Sequence, residues 1–245
     1  MHPIELTHVL NAWGPKGTND SAGFESLLPE WELYLEWSLA HRQNIVQWAL
    51  LADKANTTFN DSPERLARLT KVVKTAHRWG IVTGIDVGIV LEQQNTWRII
   101  RKVGKKADEA GQIKTRVNWL MRTGMDYLAA EMGFSEFQAP DDQKMLDWMN
   151  AVTREVEDVY NRPCYVKVHV SQGQRAKHYK DPDTGEALNF NFLPHFADKR
   201  LVAMPHTVEL YSLDDPAPTY GNQNFSEIRR FTSMVAGTRP VVFYP

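Results

Sequence analysis

Short apolar runs alternate with amphipathic helical segments along most of this chain, and that alternation limits the available folds more than any other feature. "NIVQWALL" (44–51), "IVTGIDVGIV" (81–90), "DYLAAEMG" (126–133), "CYVKVHV" (164–170), "RLVAMPHTVELYS" (200–212) and "RPVVFYP" (239–245) read as strands, and "ELTHVLNAWG" (5–14) reads as a first one. Helices are expected between them at 29–41, 62–80, 96–123 (interrupted near Gly104), 140–160 and 224–237. In the clearest of these, Ser62 is the N-cap, Pro63 the first helical residue and Gly80 the terminator. Its Leu66, Leu69, Val72, Val73 and Ala76 form one apolar stripe.

Strands separated by helices imply right-handed β-α-β units and a parallel sheet. A length of 245 residues suits one large α/β barrel or two smaller domains. A doubly wound sheet is disfavoured because no G-x-G-x-x-G follows an early strand. The expected fold is therefore α/β, a single (β/α)8 TIM-type barrel over residues 1–245. Seven strands are visible and the sequence stops at Pro245, directly after the seventh. Either a strand is missed or the chain is truncated before an eighth unit, and truncation is favoured because a buried last strand has no covering helix. Residues 171–199 form a long loop insertion containing "DPDTGEALNFNFLPHF" after the carboxyl end of a strand, which is the active-site side of a barrel. Its Tyr179, Phe190, Phe192, His195 and Phe196 either wall a cleft or pack on one another.

A formal net charge of −2 with dispersed Lys and Arg offers no basic face, so nucleic acid is not an expected partner. The densest basic run, Arg101 to Lys106, reads as a solvated helix surface. Cys164 is the only cysteine, which excludes an intrachain disulfide and a multi-cysteine metal site. It reads as a small buried filler. No segment reaches the roughly 18 apolar residues of a membrane span. No signal peptide is read at the N-terminus, and cellular location stays open.

Residues two apart on a strand share a face. Helices should cover Val166, Val168 and Val170, which turns Lys167, His169 and Ser171 inward. The same division sends Ile85, Val87 and Ile89 outward and leaves Gly84, Asp86 and Gly88 inside. Leu128, Ala130 and Met132 pack outward, with Tyr127, Ala129 and Glu131 inside; Val46, Trp48 and Leu50 leave Gln47 inside. Barrel interiors are normally filled with branched aliphatics. Gln47, Asp86, Glu131, Lys167 and His169 on one inner face therefore suggest a polar site. The first strand adds His8 or Asn11, and the sixth adds His206, Glu209 and Tyr211.

A carboxyl group in a desolvated pocket has a raised pKa and suits proton donation, which makes Glu131 the expected general acid. Asp86, Glu209 or Glu136 would be the second carboxylate of a glycosidase. Asn11, Gln47, Lys167, His169, His206 and Tyr211 would hold sugar hydroxyls. Trp13, Trp48 and Trp97 are possible aromatic platforms, with Trp48 the most suited to packing.

"WELYLEWSLAHRQNIVQWALL" resembles the helix-to-second-strand passage of barrel glycoside hydrolases such as β-hexosaminidases and α-glucuronidases. Glu131 on the fourth strand is similar in placement to the acid/base of many retaining barrel glycosidases. The resemblance implies carbohydrate processing; no cofactor and no metal are expected. The sequence departs from it by lacking an adjacent Asp-Glu or Asn-Glu pair at "AAEMG" and a carboxylate in "VVFYP". Two other readings stay open. One is a metal-dependent hydrolase using His8, His169 and His206. The other is a non-catalytic barrel that binds a sugar or partner.

Overall fold

A computed structural model describes residues 3–135, 138–169, 173–206 and 226–244. Five parallel strands form one sheet: β1 (Ile45–Ala49), β2 (Val82–Gly88), β3 (Tyr127–Glu131), β4 (Cys164–Val168) and β7 (Val202–Pro205). They lie side by side in chain order, with no reversal of the kind that creates a doubly wound switch point. Barrel closure is not seen among the described residues. The last segment runs beside β7 through two single bridges, Val241 to Ala203 and Tyr244 to His206, so it is strand-like but shorter than the sequence suggests.

Helices α4 (Pro63–Arg78), α5 (Lys106–Met121) and α6 (Asp142–Arg154) form the successive crossovers. Ser62 caps α4 by accepting from the Arg65 amide at 3.0 Å. Between β4 and β7, residues 173–199 hold a small antiparallel hairpin, β5 (Arg175–Lys180) with β6 (Ala187–Asn189), followed by tight helical turns over Phe190–Phe196. Phe190 and Phe192 are buried in the core, so they pack rather than wall a cleft.

Two expected elements are corrected. The "first strand" is a helix, α1 (Pro3–Leu10), preceding α2 (Ser21–Ser26) and α3 (Leu28–Ala40). Leu6, Val9 and Leu10 recur at helical spacing and face the core, and this period outweighs the partial alternation. The segment 96–105 is extended rather than helical, because its backbone completes the neighbouring strands: Trp97 N donates to Leu50 O at 2.8 Å and Ile99 N to Gly88 O at 2.8 Å. Burial of Trp97, Ile99 and Ile100 fixes it there.

The alternation rule divides the sheet cleanly. Val46, Trp48, Ile85, Val87, Leu128, Ala130, Val166 and Val168 all enter the large core beneath the helices. Each of the valine, leucine and isoleucine side chains contributes about 1.5–3 kcal/mol by leaving water. The opposite face carries a separate small cluster of Tyr127, Ala129 and Met204, with Tyr165 and Tyr244 against it. Gly84 belongs to this face: a Cβ there would collide with the Tyr127 ring, so only glycine admits that tyrosine.

Candidate active site

Parallel register places Ala49 beside Asp86, Gly88 beside Glu131 and Glu131 beside Lys167. Side chains from adjacent strands on one face must then meet at the carboxyl edge of the sheet. Lys167 Nζ donates to Asp86 Oδ2 at 2.8 Å and to Glu131 Oε2 at 3.3 Å. His169, just past β4, places Nε2 2.6 Å from Glu131 Oε1. The Lys167 ammonium also lies over the Tyr244 ring at 4.7 Å. His206 follows β7, its ring edge-on to His169 with centroids 5.6 Å apart and 4.9 Å from Tyr244. Gln47 is half-buried on the same face, in register with Gly84.

The electrostatics reverse one expectation. Burial alone would raise the Glu131 pKa, but the His169 hydrogen bond and the Lys167 charge outweigh it and hold the carboxyl down at about 2. Glu131 is therefore ionised in the free protein and is not a proton donor in that state. Asp86 moves the other way: burial raises it, Lys167 pulls it back, and the Glu131 charge raises it further. Lys167 is raised despite its burial, because two carboxylates face it. It stays charged, and of the two acids it faces Asp86 is the one that keeps its proton to the higher pH. Asp86 is 4 % exposed, and its Oδ1 is buried with no hydrogen-bond partner among the described residues. Burial lowers His206 to about 4, with His169 and Lys167 adding to it, so its imidazole is neutral near pH 7.

The residues expected from the misread first strand fall elsewhere. Asn11 is a buried structural tie: its Oδ1 accepts from Leu51 N at 2.7 Å and its Nδ2 donates to Thr7 O at 3.0 Å. Trp13 packs against the main core and sits edge-on to His8. His8, on α1, bonds Gly14 O at 2.9 Å through Nδ1. The His8–His169–His206 metal set is therefore not assembled. Among the described residues, the grouping with metal-ligand spacing is Asp141, Asp142 and His178, which contains none of them. Trp97 is fully buried, stacked on Trp119 and covered by the Arg116 guanidinium, so it offers no sugar platform. Cys164 is buried with its thiol pushed up to about 12, as a filler should be. Glu136, Val170, Ser171, Glu209 and Tyr211 lie outside the described residues.

Tyr165 and Tyr244 were not singled out from sequence. Tyr165 follows from the alternation that selects Lys167. Tyr244 carried no local signal, because its place depends on a single bridge to His206.

No protein-family model matches the chain, and no curated protein matches it in sequence. Its fold is similar to that of solved glycoside hydrolases. A variant of the Thermobaculum terrenum O-GlcNAc hydrolase superposes with a TM-score of 0.58 at 12% identity, over 88% of this chain and 44% of that one. The family 20 β-N-acetylhexosaminidase of Streptomyces coelicolor A3(2) gives 0.53 at 11%, over 89% of this chain and 45% of that one. PbGH5A, a glycoside hydrolase family 5 enzyme from Prevotella bryantii B14, gives 0.53 at 12%, over 86% and 64% respectively. The chain thus spans between about half and two thirds of the length of these relatives in fold.

Proposed function

We propose that this chain is a glycoside hydrolase-like, carbohydrate-processing enzyme built on a (β/α)8-type barrel, with its site at the carboxyl ends of β2, β3 and β4. The observation that carries the reading is the convergence of Asp86, Glu131, Lys167 and His169 from three adjacent strands on the polar face. Catalytic groups of barrel enzymes gather at that edge, and the fold similarity to glycoside hydrolases gives the convergence a chemical class.

In this reading the two carboxylates divide the work by environment. Glu131, ionised and held by His169, faces the positive charge that develops at the sugar's anomeric carbon. Asp86 carries the proton destined for the departing oxygen. The Lys167 contacts of 2.8 and 3.3 Å hold the two bonded oxygens no more than about 6 Å apart, short of the roughly 6.5–9.5 Å of inverting enzymes. Gln47, His169 and His206 bind sugar hydroxyls. Glu209 and Tyr211 remain contributors on sequence grounds alone.

The test is sugar release from a panel of aryl glycosides and oligosaccharides by wild type and Glu131→Gln. On any substrate that is turned over, the variant should lose at least about 100-fold while its far-UV spectrum is unchanged. Equal turnover by the two proteins removes Glu131 from the chemistry. A second reading, a sugar-binding module without catalysis, draws on Lys167 neutralising both carboxylates. It predicts sugar binding with no turnover by the wild type.

A further inference from the structure

A cavity of about 410 Å3 opens in the loops that follow β1 and β2, at the carboxyl edge of the sheet. Its charged lining is Lys54, Arg98, Arg101 and Arg116 against Asp53 and Glu92. The acids are already engaged. Asp53 Oδ1 accepts the Ala55 and Asn56 amides at 2.8 and 3.0 Å, and Glu92 pairs with Arg98. Behind them a single carboxylate, Asp61, serves two guanidiniums: Arg101 at 2.8 Å and Arg116 at 2.5 Å.

The cationic excess extends below the surface. Arg65 is fully buried behind Asn60, and burial pulls its pKa down to about 9. Arg116 is likewise desolvated, down to about 10, and its Nη2 is buried with no partner among the described residues. Both guanidiniums stay charged at neutral pH. A positive field in a low-dielectric wall draws anions into the cleft that it lines.

The wall is tied to the candidate active site. Ile89 N donates to Glu131 O at 2.9 Å, and Glu92 N donates to Phe134 O at 2.9 Å. The loop carrying Leu91 and Glu92 therefore runs from the backbone of Glu131 to the rim of the cavity. Gln94 and Asn95, with φ of 54° and 56°, hold the bend, and Asn95 O accepts from Ala52 N at 2.6 Å across the cavity's two loops. Trp97 offers no exposed ring here, so the lining recognises charge rather than a stacked base.

We propose that this cavity is a subsite for the acidic group of an anionic carbohydrate: a carboxylate or sulfate on a sugar unit next to the one processed at Glu131. The proposal rests on the carbohydrate reading above. Guanidinium forks match both groups in planar, bidentate fashion, and Arg101, 39 % exposed at the rim, is the donor best placed to meet them.

The test is calorimetric titration at low salt with trigalacturonate, a sulfated galactan oligosaccharide and neutral galactotriose. At least one acidic ligand should bind about ten-fold or more tightly than the neutral trimer, with the advantage shrinking in high salt. Which acidic ligand wins tells carboxylate from sulfate. Arg101→Gln should remove about ten-fold of the acidic affinity, one charge-assisted contact, and leave neutral binding and the melting temperature nearly unchanged. No acidic preference, or an equal loss for acidic and neutral ligands, overturns the proposal, as does failure of both acidic ligands to bind. Acidic binding at Arg101 without turnover of any substrate keeps the subsite and sinks only the hydrolase reading.

Discussion

Replacing Lys167 with methionine tests the electrostatic design of the site in isolation. The Lys167 side chain is 11 % exposed, and its ammonium is the cation that bonds Asp86 and Glu131 together. Its removal leaves Glu131 and Asp86 buried side by side without their shared cation, and breaking a buried pair in this way costs roughly 3–5 kcal/mol at pH 7. The pH dependence follows from the shifts. Glu131, lowered from 4.5 to about 2, stabilises the wild type above pH ~4.5, and that contribution is lost as pH falls through ~2. At 1.36 kcal/mol per pKa unit it amounts to about 3 kcal/mol. Without Lys167 this contribution shrinks. Asp86, already raised, rises further, and a raised acid stabilises the folded state at low pH and loses that effect as pH rises. The deficit of Lys167→Met should therefore be largest near neutrality and shrink to about 1–2 kcal/mol by pH 3. Urea titrations followed by tryptophan fluorescence at pH 7, 5, 4 and 3 measure it, with eight tryptophans as reporters. A deficit that is constant across this range, or below about 1 kcal/mol at pH 7, would show that the cluster is solvent-screened and the reasoning wrong.

Three further outcomes are expected. Asn11→Ala should cost about 1–3 kcal/mol by leaving the Leu51 amide unpaired while sparing sugar affinity, measured by denaturation and titration; a selective loss of affinity would restore it to the site. Gly84→Ala should destabilise by about 1–3 kcal/mol through overpacking against Tyr127, and a double-mutant cycle with Tyr127→Ala should recover most of it. The His206 imidazole, held at about 4, should show flat ring-proton NMR shifts from pH 8 down to about 5, whereas a midpoint near 6.5 would mean its burial is overstated.

Side-chain periodicity alone groups Asp86, Glu131 and Lys167 on one face of the sheet, where their contacts form. In β2, β3 and β4 the apolar set is uninterrupted, so a one-residue slip would turn a core face to the interior, and the register is over-determined. That is why Asp86, Glu131 and Lys167 could be placed together before any coordinates. Protonation was not legible, because the Glu131 pKa depends on a lysine and a histidine 36 and 38 residues away whose distances no pattern supplies. "ELTHVLNAWG" failed for a related reason: in so short a run, Leu6, Val9 and Leu10 satisfy a helix while Leu6, His8 and Leu10 satisfy a strand. The arginine-rich cavity was hidden in a segment read as helix surface, since Arg98 and Arg116 meet only after the 96–105 stretch is drawn out along β2.

The most direct measurement is a crystal structure of Glu131→Gln soaked with an oligosaccharide that the wild type cleaves or binds. The account predicts a sugar ring seated at the carboxyl ends of β2–β4, within hydrogen-bond reach of residue 131 and Asp86, with His169 or Gln47 on its hydroxyls. A sugar bound on another surface, with that edge of the sheet unoccupied, would contradict it.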